Sequence, residues 1–199
     1  MKNSIKAVLT LTIITIVAGA CLGYVYELTK DPIALKTLET KMNAYRTVFP
    51  EAADFKEDAS LNTDSASQVL AGEGFKDETV DECLLAVDTS GNTLGHVMTV
   101  TTSQGYGGDI TISMGVSADG TLNGIEILEI GETAGLGMKA DTPEFKNQFS
   151  GRQVSRFNYT KTGASADYEI DALSGATITT NAMVSAVNAG LAYAESLGR

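Results

Sequence analysis

The chain has 199 residues, of which 43% are hydrophobic, and it carries 14 basic and 25 acidic side chains for a net charge of −11. This length and apolar content predict one domain with its own core, and they exclude a disordered tail, a multidomain enzyme and a polytopic transporter. Residues 1–30 hold three of the basic and one of the acidic residues, so the rest carries −13, a charge that repels phosphate backbones and argues against a nucleic-acid partner.

An uncharged stretch of 20 residues, Ala7–Tyr26, lies close to the N-terminus. As a helix with a rise of about 1.5 Å per residue it would extend roughly 30 Å, the thickness of one bilayer hydrocarbon core. Lys2 and Lys6 precede it, so the positive-inside rule predicts a cytoplasmic N-terminus with the body of the chain outside. Residues 1–30 are therefore predicted to be a short cytoplasmic end and a single transmembrane anchor.

A cleaved signal peptide is the alternative interpretation of this stretch. Ala18-Gly19-Ala20 resembles a cleavage site, and Cys21 follows it as a lipoprotein acceptor would. The apolar run continues beyond that site and exceeds the roughly 7–15 residues of a signal core, which favours an anchor. Cys21 in the bilayer cannot reach Cys83, which we expect to be a buried apolar residue rather than a reactive thiol.

An amphipathic helix is predicted between two prolines, Pro32 and Pro50. Asp31 would cap it, Pro32 would take its first position, and apolar residues then recur at spacings of three and four. This stripe consists of Leu35, Leu38, Met42, Tyr45 and Phe49. The helix could continue the membrane helix as a stalk or fold onto the domain, and packing on the core is favoured over a partner coiled coil because the pattern lasts only about two heptads. Residues 31–78 would form a helical stalk and a connecting segment, with a short helix at Ser65–Ala71.

Short β-rich runs divided by turn signals begin at Thr79 and predict two hairpins. The first pairs Leu84–Asp88 with Leu94–Thr101, and the second pairs Ile110–Val116 with Leu122–Ile130. Apolar and polar residues alternate in the second hairpin. This alternation predicts a sheet with one buried face and one polar face.

The last part of the chain is predicted to be mainly helical. A short helix follows Pro143, a strand candidate spans Val154–Tyr159, and a final helix runs from about Asn181 to Leu197. The fold class is α+β: one N-terminal transmembrane helix, then a single domain at residues 79–199 with a largely antiparallel sheet flanked by helices.

Several common catalytic and cofactor motifs are missing from the sequence. His96 is the only histidine, so neither a histidine-based triad nor a multi-histidine metal site can form. The chain also lacks the dinucleotide-binding Gly-x-Gly-x-x-Gly pattern and the Walker loop. We expect His96 to be a partly buried strand residue, and we assign no catalytic residue and no metal site.

Two glycine-rich loops, Gly105–Gly108 and Gly131–Gly137, and one hydroxyl-rich turn, Asp171–Thr180, are the candidates for a binding site. The turn precedes the final helix, whose free N–H groups and positive dipole end would favour a phosphate. The alternative is structural: Thr177 and its neighbours would cap the helix while Gly175 makes a turn.

The turn also resembles a known motif. Asp171, Ser174, Gly175, Ala176 and Thr177 match D-x-x-[ST]-G-A-[TS], the flavinylation motif of FMN-binding domains in bacterial respiratory complexes. With the N-terminal anchor, a Gly-Tyr-Gly-Gly loop and a Gly-Glu-Thr-x-Gly-Leu-Gly loop before it, nearly the whole chain is similar to the G subunit of the Rnf complex. The C subunit of the sodium-pumping NADH:quinone reductase is a second resemblance, to a family that is generally longer.

The resemblance implies FMN as the cofactor and a role for each matching residue. Thr177 would carry the FMN phosphoryl group on its hydroxyl oxygen, and Asp171 would serve recognition by the flavin transferase. The other implied FMN contacts are Ser174, Gly175, Ala176, Glu132, Thr133, Leu136, Gly137 and Tyr106. Leu136 would offer an apolar face to the flavin ring, and Tyr106 would stack on it. Ala134 departs from the family, where proline is frequent.

In the Rnf family the complex couples electron transfer between reduced ferredoxin and NAD to export of Na⁺ or H⁺. The resemblance implies an electron-relay subunit that is not catalytic alone, with its FMN domain outside the membrane and other membrane subunits as partners. A covalent tether suits that side, because no FMN pool there would replace a lost cofactor. The alternatives are a stand-alone extracellular flavin reductase and an anchored module whose acidic surface binds cations or a cationic partner.

Overall fold

The computed structural model describes residues 2–58, 61 and 63–198, with side chains from Ile5 onward. Ala59, Ser60 and Asn62, which belong to the predicted connecting segment, lie outside the described residues, as does the side chain of Lys2 used in the orientation argument. The chain divides into two compact units, Met1–Thr40 and Lys41–Arg199.

Helix α1, Lys2–Val48, supplies the whole first unit. From Ile5 onward it is long and apolar enough to cross a membrane, and its most apolar part is not buried. Thr10 and Thr12 donate their hydroxyls to the carbonyls of Lys6 and Val8, each at 2.9 Å. These polar groups are therefore satisfied within the helix, as a hydrocarbon environment requires.

The predicted helix boundary at Asp31-Pro32 is wrong, because Pro32 lies inside α1. Proline removes one helical hydrogen bond, but strong helix formers such as leucine, lysine and glutamate flank it on both sides and sustain the helix. The predicted apolar stripe is buried only in its second half. Tyr45 and Phe49 are buried in the second unit, whereas Leu35 and Leu38 are exposed.

Within the described residues, five strands form one antiparallel sheet in chain order. They are β1 Asp54–Lys56, β2 Glu78–Val87, β3 Thr93–Thr102, β4 Ile110–Ser117 and β5 Leu122–Ile130. Both predicted hairpins are confirmed, as β2 with β3 and as β4 with β5.

Helices and a small second sheet surround this sheet. They are α2 Thr63–Glu73, a 3₁₀ helix Gly137–Asp141, α3 Pro143–Lys146, the parallel pair β6 Asn158–Thr160 and β7 Glu169–Asp171, and α4 Thr177–Ser196. The predicted helix at Ser65–Ala71 is confirmed and slightly longer. The strand expected at Val154–Tyr159 is shorter and later, and α4 begins four residues before the expected Asn181.

The main core lies between α4 and the sheet. Met183 and Val187 of α4 belong to the same fully buried cluster as Val100 of β3 and Met114 of β4. Burial of each such side chain contributes roughly 1.5–3 kcal/mol. This packing fixes the position of α4, and therefore of its first turn, against the sheet.

The opposite face of the sheet is also buried, which corrects the prediction of one polar face. A second cluster covers it, formed by Tyr45, Val48, Leu84 and Val97. Two polar strand residues on this side, Thr99 and Ser113, are buried, and the hydroxyls of Tyr45 and Thr99 are hydrogen-bonded at 2.8 Å. The alternation in the strands was real, but it did not reveal that the end of α1 would cover the polar face.

Candidate functional site

A pocket of about 580 Å³ lies between the two glycine-rich loops and the first turn of α4. Its volume is within the roughly 300–1,000 Å³ of small-molecule sites. The lining residues are Tyr106, Glu132, Thr133, Leu136, Gly137, Gly175, Ala176, Thr177, Ile178 and Thr179. The structure thus brings together every residue that the sequence assigned to a cofactor site except Ser174.

Thr177 is the first residue of α4, and its half-buried side chain lines the pocket. The residue before it, Ala176, takes the N-cap position and offers no side-chain hydrogen bond to the helix. The N-cap of the helix is therefore not a threonine, which corrects that part of the structural alternative, whereas the turn it predicted at Gly175 is present. Because Thr177 opens α4 and lines the pocket, the N-terminus of this 20-residue helix lies at the pocket. A helix N-terminus carries a positive dipole end and N–H groups without partners inside the helix.

Gly175 shapes the turn that leads into α4. Its φ of 76° is in the left-handed region, and a Cβ there would lie 3.2 Å from Cδ2 of Leu136. A side chain at this position would strain the backbone and press on Leu136. The Gly131–Gly137 loop and the turn therefore meet at Leu136 and Gly175.

The two glycine-rich loops pack backbone against backbone. A Cβ on Gly107 would lie 2.1 Å from the carbonyl oxygen of Gly131, a contact that only glycine permits. The backbone N–H of Tyr106 donates to Oε1 of Glu132 at 2.8 Å, and Glu132 is 8% exposed. This buried carboxylate holds the first loop against the second and so sets the position of Tyr106.

Three large apolar side chains at the pocket are exposed: Tyr106 (71%), Leu136 (45%) and Ile178 (52%). Each comes from a different segment, namely one glycine loop, the other loop and α4. Exposed apolar side chains that converge on one pocket are typical of a binding site for an apolar ring. Sequence reasoning missed Ile178 and Thr179, because the helix was expected to start at Asn181.

The other reactive residue types lie elsewhere. Cys83 is buried, as predicted, and this burial raises the pKa of its thiol to about 12. His96 is half-buried on β3, where burial lowers its pKa and the charge of Asp58 acts in the opposite direction. No cluster of three or more metal-ligating side chains occurs in the part of the chain that the structure describes.

Comparison with known proteins agrees with this geometry. Residues 105–192, which include both loops and the Thr177 turn, match the FMN-binding domain family. The chain is also 32% identical over 195 residues to the G subunit of the ion-translocating oxidoreductase complex of Methanosarcina acetivorans, covering 96% of this chain and 95% of that protein. This chain belongs to the Rnf G-subunit family. Its cofactor is FMN.

Other members of the G-subunit family are similar over nearly their whole length. The G subunit of the Na⁺-translocating ferredoxin:NAD⁺ oxidoreductase complex of Acetobacterium woodii is 29% identical over 200 residues, covering 100% of this chain and 95% of that protein. The G subunit of the proton-translocating ferredoxin:NAD⁺ oxidoreductase complex of Clostridium ljungdahlii is 28% identical over 187 residues, covering 94% and 89%. The crystal structure of Shewanella oneidensis NqrC matches at 24% identity and a TM-score of 0.47 over 55% of each chain.

The groups that line this pocket are chemically compatible with FMN. The N-terminus of α4 at Thr177 provides backbone N–H groups and a positive dipole end for a phosphate. The exposed faces of Tyr106, Leu136 and Ile178 provide apolar surface for a ring system. These residues would hold the phosphate and the ring respectively.

Asp171 and Ser174, the two polar residues at the start of the motif, do not line the FMN pocket of this G subunit. They line a neighbouring pocket of about 350 Å³ that also includes Lys139 and Gln148. Both are exposed, and Oδ1 of Asp171 accepts a hydrogen bond from the backbone N–H of Ala164 at 2.6 Å. The motif is thus split between two pockets.

Proposed function

We propose that this chain is the FMN-carrying electron-relay subunit of an Rnf-type complex and that the cofactor is joined covalently to Thr177. The position of Thr177 supports the attachment: it lies at the first position of α4, in the FMN pocket, and at the end of the Asp171–Thr177 motif. A phosphate attached to its hydroxyl would lie beside the positive end of the helix.

Attachment requires an activated phosphoryl donor, and a flavin dinucleotide is the chemical class that supplies one. Oγ of Thr177 would form a new bond to the FMN phosphorus while the pyrophosphate P–O bond of the donor breaks. A nucleoside monophosphate would leave and take up the proton that the Thr177 hydroxyl loses. A flavin transferase is the expected partner for this step. The N–H groups at the start of α4 would stabilise the negative charge on the phosphate.

A relay fits the pocket better than a substrate-converting site does. Bound FMN supplies redox chemistry that amino-acid side chains lack. Among the described residues that line the pocket, Glu132 is the only carboxylate, and it already accepts the Tyr106 N–H. Tyr106, Leu136 and Ile178 would bind and orient the ring, and of these three only Tyr106, through its phenol, carries a group that could serve as an acid or base.

The relatives also suggest the setting. Two of them are named as subunits of ferredoxin:NAD⁺ oxidoreductase complexes that translocate Na⁺ or protons. We infer that this chain serves electron transfer between ferredoxin and NAD coupled to ion translocation, with other membrane subunits as partners. Helix α1 would anchor it with the N-terminus in the cytoplasm and the FMN domain on the extracytoplasmic side.

The attachment is tested by producing the full chain together with a flavin transferase and measuring flavin fluorescence after denaturing electrophoresis. We expect fluorescence in the wild type and in Thr177→Ser, which keeps a hydroxyl, and none in Thr177→Val, which keeps the side-chain shape. Circular dichroism checks that the Val variant is folded. A fluorescent band in Thr177→Val would show that Thr177 is not the tether.

The relay is tested by comparing the flavinylated chain on its own with the assembled complex. On its own, it should accept electrons but should not turn over an external acceptor at the rate of the complex. Purification with integral membrane partners is expected. Full acceptor turnover by the isolated chain would instead support a stand-alone reductase.

A further inference from the structure

The start of the flavin acceptor turn, residues 171–177, is held by a side chain from outside the motif. Gln148 follows α3, and its side-chain amide contacts both the backbone N–H and the backbone carbonyl of Asp171. The Asp171 N–H donates to Oε1 of Gln148 at 2.7 Å, and Nε2 of Gln148 lies 3.5 Å from the Asp171 carbonyl oxygen. The first contact is the strong one of this pair.

Gln148 makes the hydrogen bonds that a neighbouring strand would make at the second edge of β7. One edge of β7 pairs with β6, and the Ala172 N–H continues this ladder to the carbonyl of Thr160 at 2.8 Å. The other edge, at Asp171, is paired by the Gln148 amide. Because the Asp171 carboxylate also accepts the Ala164 N–H, both the main chain and the side chain of Asp171 are fixed before any partner binds.

The end of the turn is closed by Thr180, which is fully buried. Its Oγ1 accepts the Leu173 N–H at 3.0 Å and donates to the Ala176 carbonyl at 2.9 Å. The Ala176 N–H in turn donates to the Leu173 carbonyl at 3.1 Å. One hydroxyl therefore ties the two sides of the turn together and leaves Ser174 exposed at its tip.

We propose that Gln148 and Thr180 are positioning residues that hold the acceptor turn in the conformation that the flavin transferase recognises. The proposal rests on the proposed covalent attachment at Thr177. When the turn is already ordered, binding to the transferase does not have to include the entropic cost of ordering it. Loss of this order should therefore weaken the affinity of the transferase for the acceptor chain. Gln148 lines the same pocket as Asp171 and Ser174. The lining of that pocket shares no residue with the lining of the FMN pocket.

The test measures initial rates of covalent flavin incorporation at limiting transferase and varied concentrations of the full chain in detergent. Gln148→Leu and Thr180→Val should each lower kcat/KM about three- to tenfold, the effect of one lost hydrogen bond, mainly through KM. Thr180→Ser keeps the hydroxyl and should retain the wild-type rate. Gln153→Leu is the matched control, because Gln153 donates to a backbone carbonyl, that of Asp119, at 2.6 Å, away from the turn.

Non-covalent FMN affinity and the thermal midpoint are measured for each variant. For Gln148→Leu, a merely structural role would lower both of them along with the rate, whereas positioning leaves FMN affinity at the wild-type value. Thr180→Val is compared with Thr180→Ser in kcat/KM alone, because Thr180 is hydrogen-bonded to Ala176 of the FMN pocket. Wild-type kcat/KM in both Gln148→Leu and Thr180→Val, or a loss that only follows the folded fraction, would overturn the proposal. If the wild-type chain itself takes no flavin on Thr177, the covalent attachment fails instead, which is a separate outcome.

Discussion

Glu132 joins the two glycine-rich loops of the proposed FMN pocket through one partly buried hydrogen bond from the Tyr106 N–H. Glu132→Ala leaves that N–H without its partner and frees the Tyr106 loop. We expect a loss of about 1–3 kcal/mol in unfolding free energy and weaker non-covalent FMN binding. Glu132→Gln keeps an acceptor oxygen and should lose less of both. Chemical denaturation and fluorescence titration with FMN measure the two effects.

Glu129→Ala is the matched control for Glu132, because it removes an exposed carboxylate from the end of β5. It should bind FMN as the wild type does. Equal losses in Glu129→Ala and Glu132→Ala would point to net charge rather than to the loop contact.

Cys83 gives the domain a dependence on alkaline pH. Burial raises the pKa of its thiol to about 12 in the folded chain, whereas an unfolded thiol ionises near its ordinary pKa of about 8.5. The contribution of the neutral thiol to the unfolding free energy is therefore complete below the ordinary pKa, and it is lost as the pH rises toward the pKa in the folded chain. The unfolding free energy should fall above about pH 9, by up to about 1.4 kcal/mol per pH unit for this group.

The measurement is urea unfolding from pH 7 to pH 10.5 for the wild type and Cys83→Ala. The Ala variant should show a shallower alkaline decline. Some decline should remain, because burial and the neighbouring Glu82 also raise the pKa of Tyr45. Identical slopes in the two proteins would contradict the assignment to Cys83.

At the residue scale, the sequence predicted what is local and missed what is tertiary. Thr177 and Gly175 belong to one short motif, and the resemblance of that motif to a known family made them candidates. Gln148 contacts Asp171 across 23 residues, and its role depends on where α3 ends relative to β7. A glutamine in a polar segment carries no signal of that kind.

Among the elements, the end of α1 matters most to the sheet, because it buries the second face of the sheet. Tyr45 lies on the second face, where its hydroxyl bonds to Glu82 and Thr99. In Tyr45→Phe, Lys41 still pairs with Glu82 at 2.6 Å, but the buried Thr99 loses its partner. We expect a loss of about 1–2 kcal/mol in unfolding free energy, measured by denaturant titration. Tyr106→Phe removes a hydroxyl at an exposed site, so it is the matched control and should leave the unfolding free energy unchanged.

The elements were predictable to different degrees for physical reasons. The hairpins were predicted closely, because β2 to β5 pair with neighbours in the sequence and alternate in hydrophobicity. The start of α4 was placed too late, because the threonines that open it resemble a cap. The break expected at Pro32 is absent, because one lost hydrogen bond does not outweigh strong helix formers on both sides.

At the scale of the whole molecule, charge and hydrophobicity are separated along the chain. Residues 31–199 carry 11 basic and 24 acidic side chains, whereas residues 1–30 have a small basic excess and the long apolar stretch. The proposed orientation depends on Lys2 and Lys6 before the apolar stretch and not on the acidity of the body, because the positive-inside rule counts basic residues near the span. Acidity says little about the cofactor, because the described lining of the proposed FMN pocket is made of backbone, apolar and hydroxyl groups with Glu132 as its one carboxylate.

The membrane orientation leads to a prediction that uses the chain's two native cysteines as removable background. In a variant with Cys21→Ser and Cys83→Ala, Ser90→Cys places one thiol in the exposed turn between β2 and β3. If the body is extracytoplasmic, a membrane-impermeant maleimide should label this thiol in intact cells. Lys6→Cys in the same background lies before the apolar stretch and should react only after permeabilisation. Labelling of the Lys6→Cys variant but not of Ser90→Cys in intact cells would reverse the orientation and place the FMN domain in the cytoplasm.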